Sequence, residues 1–424
     1  MDDEKRPGLA CLLETLPAVE FGCIYGSSLH PNNSDKTSMV DYILGVADPE
    51  QWHAENLKMN RNHYASWIIQ LGGARLITGV AENIGVGVHF NPFVSHQNQM
   101  FKYGVVRARD LVQDILEWER FYLSGRLQKP VNVVVDSLEI EKLNSVNLKA
   151  VTSAALLIMP SNFSEEELYA KICSLSYMGD LRMLFAEDKN KVKKIVQGQF
   201  HLFQRMYTPL LEELAARDFL RISSSADKKL NIIQDCGLST TCSLVSHLPS
   251  TVRSKMRIKL GEGKTMDESG RAVQKVLIRS KEEAAYCVHK ILRQKVMVSS
   301  ARQAVAGLVT SGAVHGLKYL ASRPSPKYTS WEVVTPRPSI VWFIKSDVLS
   351  TMTVSCILGS SSPRTPTSCS LRGHALGLST PFGGTLNSQG YPVNHPLAEL
   401  RGPSCTVDAN TPKDHFLRIP IAEL

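Results

Sequence analysis

Residues 25–46 contain side chains that could hold a nucleotide and a metal ion. A Gly26–Ser27 turn follows the apolar run 21–25, and Asp41 lies in a second apolar run beyond a polar loop. A glycine lets backbone N–H groups approach a triphosphate closely, and a serine hydroxyl can donate to a phosphate oxygen. A carboxylate on a strand can bind Mg²⁺, which offsets the charge on transferring phosphates. The pattern is compatible with nucleotidyl transfer, although Gly-Ser turns and hydrogen-bonded turn aspartates are also common structural features.

Composition limits the class of protein to which the chain can belong. Its 424 residues suffice for two or three domains, and its net charge of +8 would be solvated or would favour nucleotides, nucleic acid or acidic lipid. The nine cysteines show no Cys-x-x-Cys pair or zinc-like spacing, which indicates a reduced compartment. No run of about 20 apolar residues occurs, so we expect no membrane span. The acidic residues at positions 2 to 4 argue against a secretory signal and a typical mitochondrial presequence.

The first part of the chain alternates between strand-like and helix-like patterns. Asp48 is expected to cap a helix with Pro49 at its first position, and Gly125 is expected to end another. The expected elements are strand, turn and strand over 21–46, a helix over 48–69, short β-type runs over 84–106, a helix over about 108–123 and a strand over 130–135. This order predicts a mixed α/β region.

From about residue 140 the pattern becomes mostly helical. Ser164 and Glu167 form a capping box, and helical periodicity continues over 187–223. Residues 250–322 are basic, with fourteen Lys and Arg against five Asp and Glu. Within this stretch, residues 296–321 place apolar side chains along one side of a helix.

The last part of the chain differs in composition. Ser, Thr and Pro make up 36 of the 102 residues in 323–424, and apolar periodicity is largely absent. We expect a mostly disordered tail.

Six segments resemble one known family, in order and at compatible spacings. They are YGSS with the following MVDYILGVADPEQWHAENLKMNRNHYA, then GVGVHFN, KYGVV, GRLQKPV, SYMGDLRM and EDKNKVKKIV, within residues 10–322. The family is the mitochondrial phosphatidate cytidylyltransferases. The resemblance implies an enzyme that makes CDP-diacylglycerol, the precursor of cardiolipin, from CTP and phosphatidate with Mg²⁺. It also implies a peripheral protein on the matrix face of the inner mitochondrial membrane.

The same resemblance implies the fold and its division into domains. We expect an α/β (α+β) nucleotidyltransferase domain over 1–135 and a mostly helical winged-helix domain over 136–250. A basic region with a membrane-binding amphipathic helix is expected over 251–322, followed by the tail over 323–424.

Asp41 matches the single carboxylate of the family's motif and is expected to be catalytic and to bind the metal. Ile43, where the broader polymerase-β-like superfamily has a second carboxylate, agrees with that single-carboxylate pattern. Asp180 is our candidate for a second, catalytic metal ligand. Ser28 departs from the family's usual glycine, and would cost about 1 kcal/mol if that position needs φ > 0.

Residues in the matching segments are candidates for binding substrate phosphates and the membrane. The expected CTP- or phosphate-binding residues are Gly26, Ser27, Ser28, His53, Lys102, Arg126, Lys129 and Lys189. The expected membrane-binding residues are Arg302, Leu308, Leu317 and Lys318, through apolar burial and attraction to an anionic surface. No nucleic-acid partner is expected, and no oligomeric state is assigned.

Alternative interpretations remain for several of these residues. His53, Asn56, Asn60 and His63 share a helix face that is either a buried polar network or a wall of the CTP cleft. Asp180 could form an ion pair with Arg182, the lysines could be solvated, and residues 296–321 could be an ordinary packed helix.

Two other functions also remain open for the whole chain. One is a nucleotidyltransferase with another substrate, such as RNA, although the basic region lacks interleaved aromatic residues. The other is a non-catalytic mitochondrial import or maintenance factor.

Overall fold

A five-stranded mixed sheet dominates the first half of the protein. The computed structural model describes residues 12–29, 39–181, 190–224, 230–266 and 272–311. The strands are β1 (Phe21–Tyr25), β2 (Val40–Val46), β3 (Val88–His96), β4 (Gln99–Arg107) and β5 (Asn132–Asp136), in the spatial order β3-β4-β2-β1-β5. β2 and β4 pair in parallel, and the other neighbours are antiparallel. The strand–turn–strand prediction for 21–46 is confirmed in its two strands.

Apolar residues cover both faces of this sheet, as its alternating side chains require. One face carries Ile24, Tyr42, Leu44, Tyr103 and Val105, packed with Leu12 and Trp52. The other carries Phe21, Cys23, Ile43 and Val106, packed with Leu111 and Ile115 of a helix. Asp41 is two residues from Ile43, so it belongs to this second face.

The helix predicted over 48–69 is shorter than expected. The helices of the first half are α1 (Pro49–Met59), α2 (Ser66–Leu71), α3 (Gly73–Gly79), α4 (Ala108–Glu117) and α5 (Ser124–Leu127). Asp48 caps α1 as predicted, accepting from the N–H of Glu50 at 2.9 Å. The helix ends at Met59 because Asn60 leaves the helical conformation and its Nδ2 donates to the Thr15 carbonyl at 2.7 Å. His63 therefore lies in a separate 3₁₀ turn, Arg61–His63.

The helix predicted over 108–123 also ends early, at Glu117. Trp118 takes a left-handed conformation with φ of 50°, and the chain then folds back along the helix. Gly125 lies inside α5 instead of ending α4. Hydrogen bonds from the backbone to the buried Asp114 side chain cause this early turn.

The second half is helical, but it also contains β-structure that the periodicity did not predict. Its helices are α6 (Ile140–Ile158), α7 (Glu165–Leu175), α8 (Lys191–Gly198), α9 (Phe200–Ala216), α10 (Leu238–Ser246), α11 (Ser250–Leu260) and α12 (Lys281–Ser311). β6 (Asn162–Ser164), β8 (Leu230–Gln234) and β7 (Leu220–Ser224) form an antiparallel sheet, and β9 (Glu262–Met266) pairs with β10 (Ala272–Val276). The capping box of Ser164 and Glu167 is present. Ala154, Leu168, Phe203 and Leu292 contribute to one shared core.

The long helix α12 includes the first part of the segment predicted to bind a membrane. Val298 and Leu308 are exposed on it. Leu317, Lys318 and the predicted tail lie outside the described residues. Within the described ranges, no helix is long and apolar enough to cross a bilayer. The predicted domain boundaries stay predictions.

Candidate active site

Three adjacent strands place Tyr25, Asp41 and Lys102 side by side. Tyr25 pairs with Asp41 across β1 and β2, and Asp41 pairs with Lys102 across β2 and β4. The Lys102 Nζ lies 3.2 Å from Asp41 Oδ1, and the two side chains are 23% and 24% exposed. The register of the sheet thus builds an ion pair that solvent or a ligand can reach.

Gly26 brings a backbone turn directly against the Asp41 carboxylate. Its φ of +95° is a conformation that favours glycine, and a Cβ atom here would lie 3.3 Å from Asp41 Oδ2. The chain continues into a 3₁₀ turn, Ser27–Leu29, in which the Leu29 N–H donates to the Gly26 carbonyl at 3.3 Å. Gly26 is therefore the position in this turn that needs a glycine.

Ser28 lies inside the 3₁₀ turn, where the backbone φ is negative, so a serine is tolerated there without the cost considered above. Its hydroxyl is buried and has no hydrogen-bond partner among the residues that the structure describes. A buried hydroxyl without a partner is unfavourable, and a bound acceptor would satisfy it. The turn can therefore offer a hydroxyl donor beside Asp41.

Arg126 adds a second cation to the site. Its guanidinium lies 3.9 Å from the Tyr122 ring centroid and 5.5 Å from that of Tyr25, and Nη1 donates to the Tyr122 carbonyl at 2.7 Å. Burial raises the pKa of the Tyr25 hydroxyl, Lys102 and Arg126 oppose this rise, and Asp41 adds to it. Lys102, Asp41 and Arg126 thus surround one tyrosine, which sequence reasoning did not identify.

Asp114 holds the loop that carries Tyr122 and leads to Arg126. One carboxylate oxygen accepts from the N–H groups of Arg120 and Phe121, both at 2.8 Å. The other accepts from Tyr122, Leu123 and Ser124 N–H groups at 2.9–3.1 Å and from the Ser124 hydroxyl at 3.2 Å. The sequence signal for this residue was a carboxylate on the apolar side of α4, three residues after Leu111.

Lys129 and Asp180 occupy a neighbouring region around Tyr177. The Lys129 ammonium donates to the Gly125 carbonyl and to Ser176 Oγ, the latter at 2.7 Å, and lies 5.0 Å from the Tyr177 ring centroid. Asp180 is buried, and its N–H donates to the Tyr177 carbonyl at 3.1 Å. Arg182 and Lys189 lie outside the described residues. A metal-binding role for Asp180 stays a prediction.

His53 lies in a buried polar network on the other face of the sheet. Its Nδ1 is 2.8 Å from the Tyr64 hydroxyl, and Asn56 Nδ2 donates to the hydroxyls of Tyr64 and Tyr103, both at 2.8 Å. Burial lowers the pKa of His53 well below its ordinary value, so the ring is neutral at pH 7. The structure favours the buried network over a wall of the CTP cleft, because a neutral, enclosed imidazole cannot offset phosphate charge.

The Arg302 side chain is hydrogen-bonded to the backbone of the first half of the protein. Its Nε donates to the Ile84 carbonyl at 3.0 Å and its Nη2 to the Asn83 carbonyl at 2.9 Å, next to the π-helical turn Val80–Ile84. This contact gives Arg302 a structural role, and contact with a membrane stays a prediction for it and for Leu308.

Asp41 fits a magnesium ion held jointly by protein and nucleotide. Its carboxylate is partly exposed, and the absence of a side chain at Gly26 leaves space beside Oδ2. Among the described residues, no three His, Cys, Asp or Glu side chains cluster closely enough to hold a metal. Magnesium sites built from one or two carboxylates and substrate phosphates need no such cluster.

The site places a partly exposed strand carboxylate, two cationic side chains and a glycine turn together, an arrangement compatible with nucleotidyl transfer. Residues 9–325 match the family model described as mitochondrial phosphatidate cytidylyltransferase. The protein of that name from Bos taurus is 32% identical over 320 residues, which cover 72% of this chain and 90% of the bovine one. Those of Danio rerio and Caenorhabditis elegans are 32% and 30% identical, covering 85% and 100% of their own lengths. The chain belongs to the mitochondrial phosphatidate cytidylyltransferase family.

Proposed function

We propose that this protein transfers the cytidylyl group of CTP to phosphatidate, forming CDP-diacylglycerol and pyrophosphate. The observation that carries the proposal is the Asp41–Lys102 pair beside the Gly26 turn, within a chain that belongs to this family. The product is a precursor of cardiolipin. The relatives are named as mitochondrial proteins, and we place the reaction on the matrix face of the inner membrane.

The residues of the turn bind the triphosphate. Gly26 lets the backbone approach the β- and γ-phosphates, while the hydroxyls of Ser27 and Ser28 donate to their oxygens. Asp41 would hold Mg²⁺, with Asp180 as the candidate second ligand. The ion, when bound, neutralises charge on the triphosphate and on the leaving pyrophosphate.

Cationic side chains bind and orient the two anionic substrates. Lys102 and Arg126 both act electrostatically on Tyr25, and Lys129 lies farther along the same segment as Arg126. The attacking oxygen belongs to the phosphate of phosphatidate, which is already ionised at neutral pH. The reaction therefore needs no general base, and the protein contributes positioning and charge neutralisation.

Replacing Asp41 tests this proposal. We expect Asp41→Asn to lower CDP-diacylglycerol formation from radiolabelled CTP and phosphatidate liposomes about 100-fold or more, because the variant loses the metal-binding charge. Asp218→Asn is the matched control, since Asp218 is exposed with φ of 59°, a conformation that asparagine also accepts. Undiminished synthesis by Asp41→Asn would refute the mechanism.

The same assay, repeated with RNA added, separates the two other functions. Incorporation of CTP into RNA but not into lipid would identify an RNA-directed nucleotidyltransferase. Wild-type protein that binds no CTP and transfers no nucleotide would support a non-catalytic maintenance factor.

A further inference from the structure

The C-terminal part of the fold presents a surface that is both basic and apolar. We name it the α11–α12 surface and define it by six exposed residues: Lys255, Ile258 and Lys259 of α11, Leu277 after β10, and Tyr286 and Lys290 of α12. Ile258 is 85% exposed and Tyr286 is 69% exposed. Side chains this apolar are costly to leave in water, so a cluster of them indicates an interaction site.

Contacts between the elements bring these residues together. A Cβ atom on Gly261, just after α11, would lie 3.7 Å from Leu277 Cδ2. Arg257 Nη1 donates to Gln274 Oε1 at 3.2 Å, which joins α11 to β10. Lys290 Nζ lies 5.8 Å from the Tyr286 ring centroid.

The two helices also approach each other along this surface. Lys259 and Lys290 both act on the Cys287 thiol, lowering its pKa against the larger rise caused by burial. α11 packs against this turn of α12, because its Val252 and Met256 belong to the same core as Cys287 and Val288. The six residues therefore lie on elements that are packed against one another.

Positive charge is in excess around the apolar side chains. α11 contains four basic residues, Arg253, Lys255, Arg257 and Lys259, and no acidic residue. The acidic side chains described nearby are Glu262, Glu282 and Glu283. Arg279 neutralises Glu283 through an ion pair of 3.1 Å.

We propose that the α11–α12 surface docks onto an anionic lipid bilayer. A bilayer interface accepts exposed apolar and tyrosine side chains, while lysines around them are attracted to acidic headgroups. The proposal rests on the proposed function, whose substrate phosphatidate is a bilayer lipid. It assigns this role to folded residues before 291, separate from the helix predicted over 296–321.

The α11–α12 surface also differs from a nucleic-acid site. Such a site combines phosphate-binding cations with several aromatic side chains on which bases stack, whereas Tyr286 is the aromatic residue of this surface. Ile258 and Leu277 would have no partner on a phosphate backbone, but they would be buried in a bilayer interface.

Vesicle sedimentation with the full-length protein tests the proposal. The double variant Lys255→Glu/Lys259→Glu should bind phosphatidylcholine vesicles containing phosphatidylglycerol about tenfold or more weakly than wild type, because two attractive charges are replaced by two repulsive ones. Ile258→Asp should also weaken binding. Leu71→Asp and Lys58→Glu, on the exposed surface of α2 and α1, are the matched controls and should leave it unchanged.

Activity on phosphatidate in detergent micelles separates this proposal from the proposed function. There, the double variant should be as active as wild type, because its active site is intact. If the wild-type protein is inactive both on liposomes and in detergent micelles, but its vesicle binding depends on Lys255 and Lys259, the proposed function is refuted and the docking proposal stands. The docking proposal would be refuted if Lys255→Glu/Lys259→Glu and Ile258→Asp both bound vesicles as wild type does. It would also be refuted if these variants lost only RNA binding.

Discussion

The Asp114 carboxylate anchors the loop between α4 and α5. It is buried, and it accepts hydrogen bonds from five consecutive backbone N–H groups, those of residues 120–124. Hydrogen bonds to a charged acceptor are stronger than those between neutral groups. The same loop carries the Tyr122 carbonyl that orients Arg126, so this side chain supports the site without being part of it.

Replacing Asp114 should therefore destabilise the protein strongly. We expect Asp114→Asn to lower the free energy of unfolding by about 3 kcal/mol or more, because its amide NH₂ would face the backbone donors. Urea denaturation measures the change. Asp110→Asn, on the same helix and more exposed, should shift the free energy by only about 0.5 kcal/mol. Equal losses for the two variants would contradict the anchoring role.

A network of buried polar groups joins α1, β3, β4 and the turn between α1 and α2. His63 Nδ1 lies 2.8 Å from the Tyr103 hydroxyl of β4, and the His53 and His89 ring centroids are 5.2 Å apart. Burial lowers the pKa of His89 and His63 to about 4 each, and it lowers the pKa of His53 well below its ordinary value. Because Tyr103 follows Lys102, this network also fixes the strand that carries Lys102.

The neutral histidines make the fold sensitive to acid. A depressed folded pKa means that the unfolded chain binds protons first, so stability is lost as the pH falls from about 6.5 towards 4. His89 alone should lower the free energy of unfolding by about 2 kcal/mol between pH 7.5 and pH 5. Urea denaturation at both pH values should show a smaller difference for His89→Gln. His201→Gln, at an exposed site, should keep the wild-type difference.

Local signals in the sequence were enough to predict some of these elements and not others. The apolar runs of β1 and β2, the Asp48 cap and the Ser164 capping box depend on nearby residues, and all were predicted correctly. The ends of α1 and α4 depend on the bond from Asn60 to Thr15 and on the bonds of Asp114, which apolar periodicity does not reveal.

The arrangement of the candidate site was also only partly predictable. Asp41 and Gly26 follow from motif and spacing, but the pairing of Asp41 with Lys102 requires the parallel register of β2 and β4, which are far apart in the chain. Tyr25 and Asp114 carry no motif. Their roles became visible only when the fold brought Arg126 and residues 120–124 next to them.

The helix α12 connects the two halves of the protein. Its first part contributes Ala284, Val288, Ile291 and Leu292 to the core of the second half. Farther along, Ser299 Oγ donates to the Arg120 carbonyl at 2.5 Å, and Gln303 Nε2 to the Val88 carbonyl at 3.3 Å. Lys295 donates to the carbonyls of Trp118 and Glu119, and burial lowers its pKa to about 8. One helix therefore holds both the loop anchored by Asp114 and the β3 edge of the sheet.

Arg302 should consequently contribute to stability. Arg302→Ala removes its bonds to the Asn83 and Ile84 carbonyls, and we expect the free energy of unfolding to fall by about 1–2 kcal/mol. Amide hydrogen exchange of residues 80–88 should become faster, because α12 no longer holds that segment. Arg205→Ala, an exposed arginine on α9, is the control and should change neither quantity. If Arg302→Ala instead weakened vesicle binding and left stability and exchange unchanged, Arg302 would be a membrane contact and not a link between the two halves.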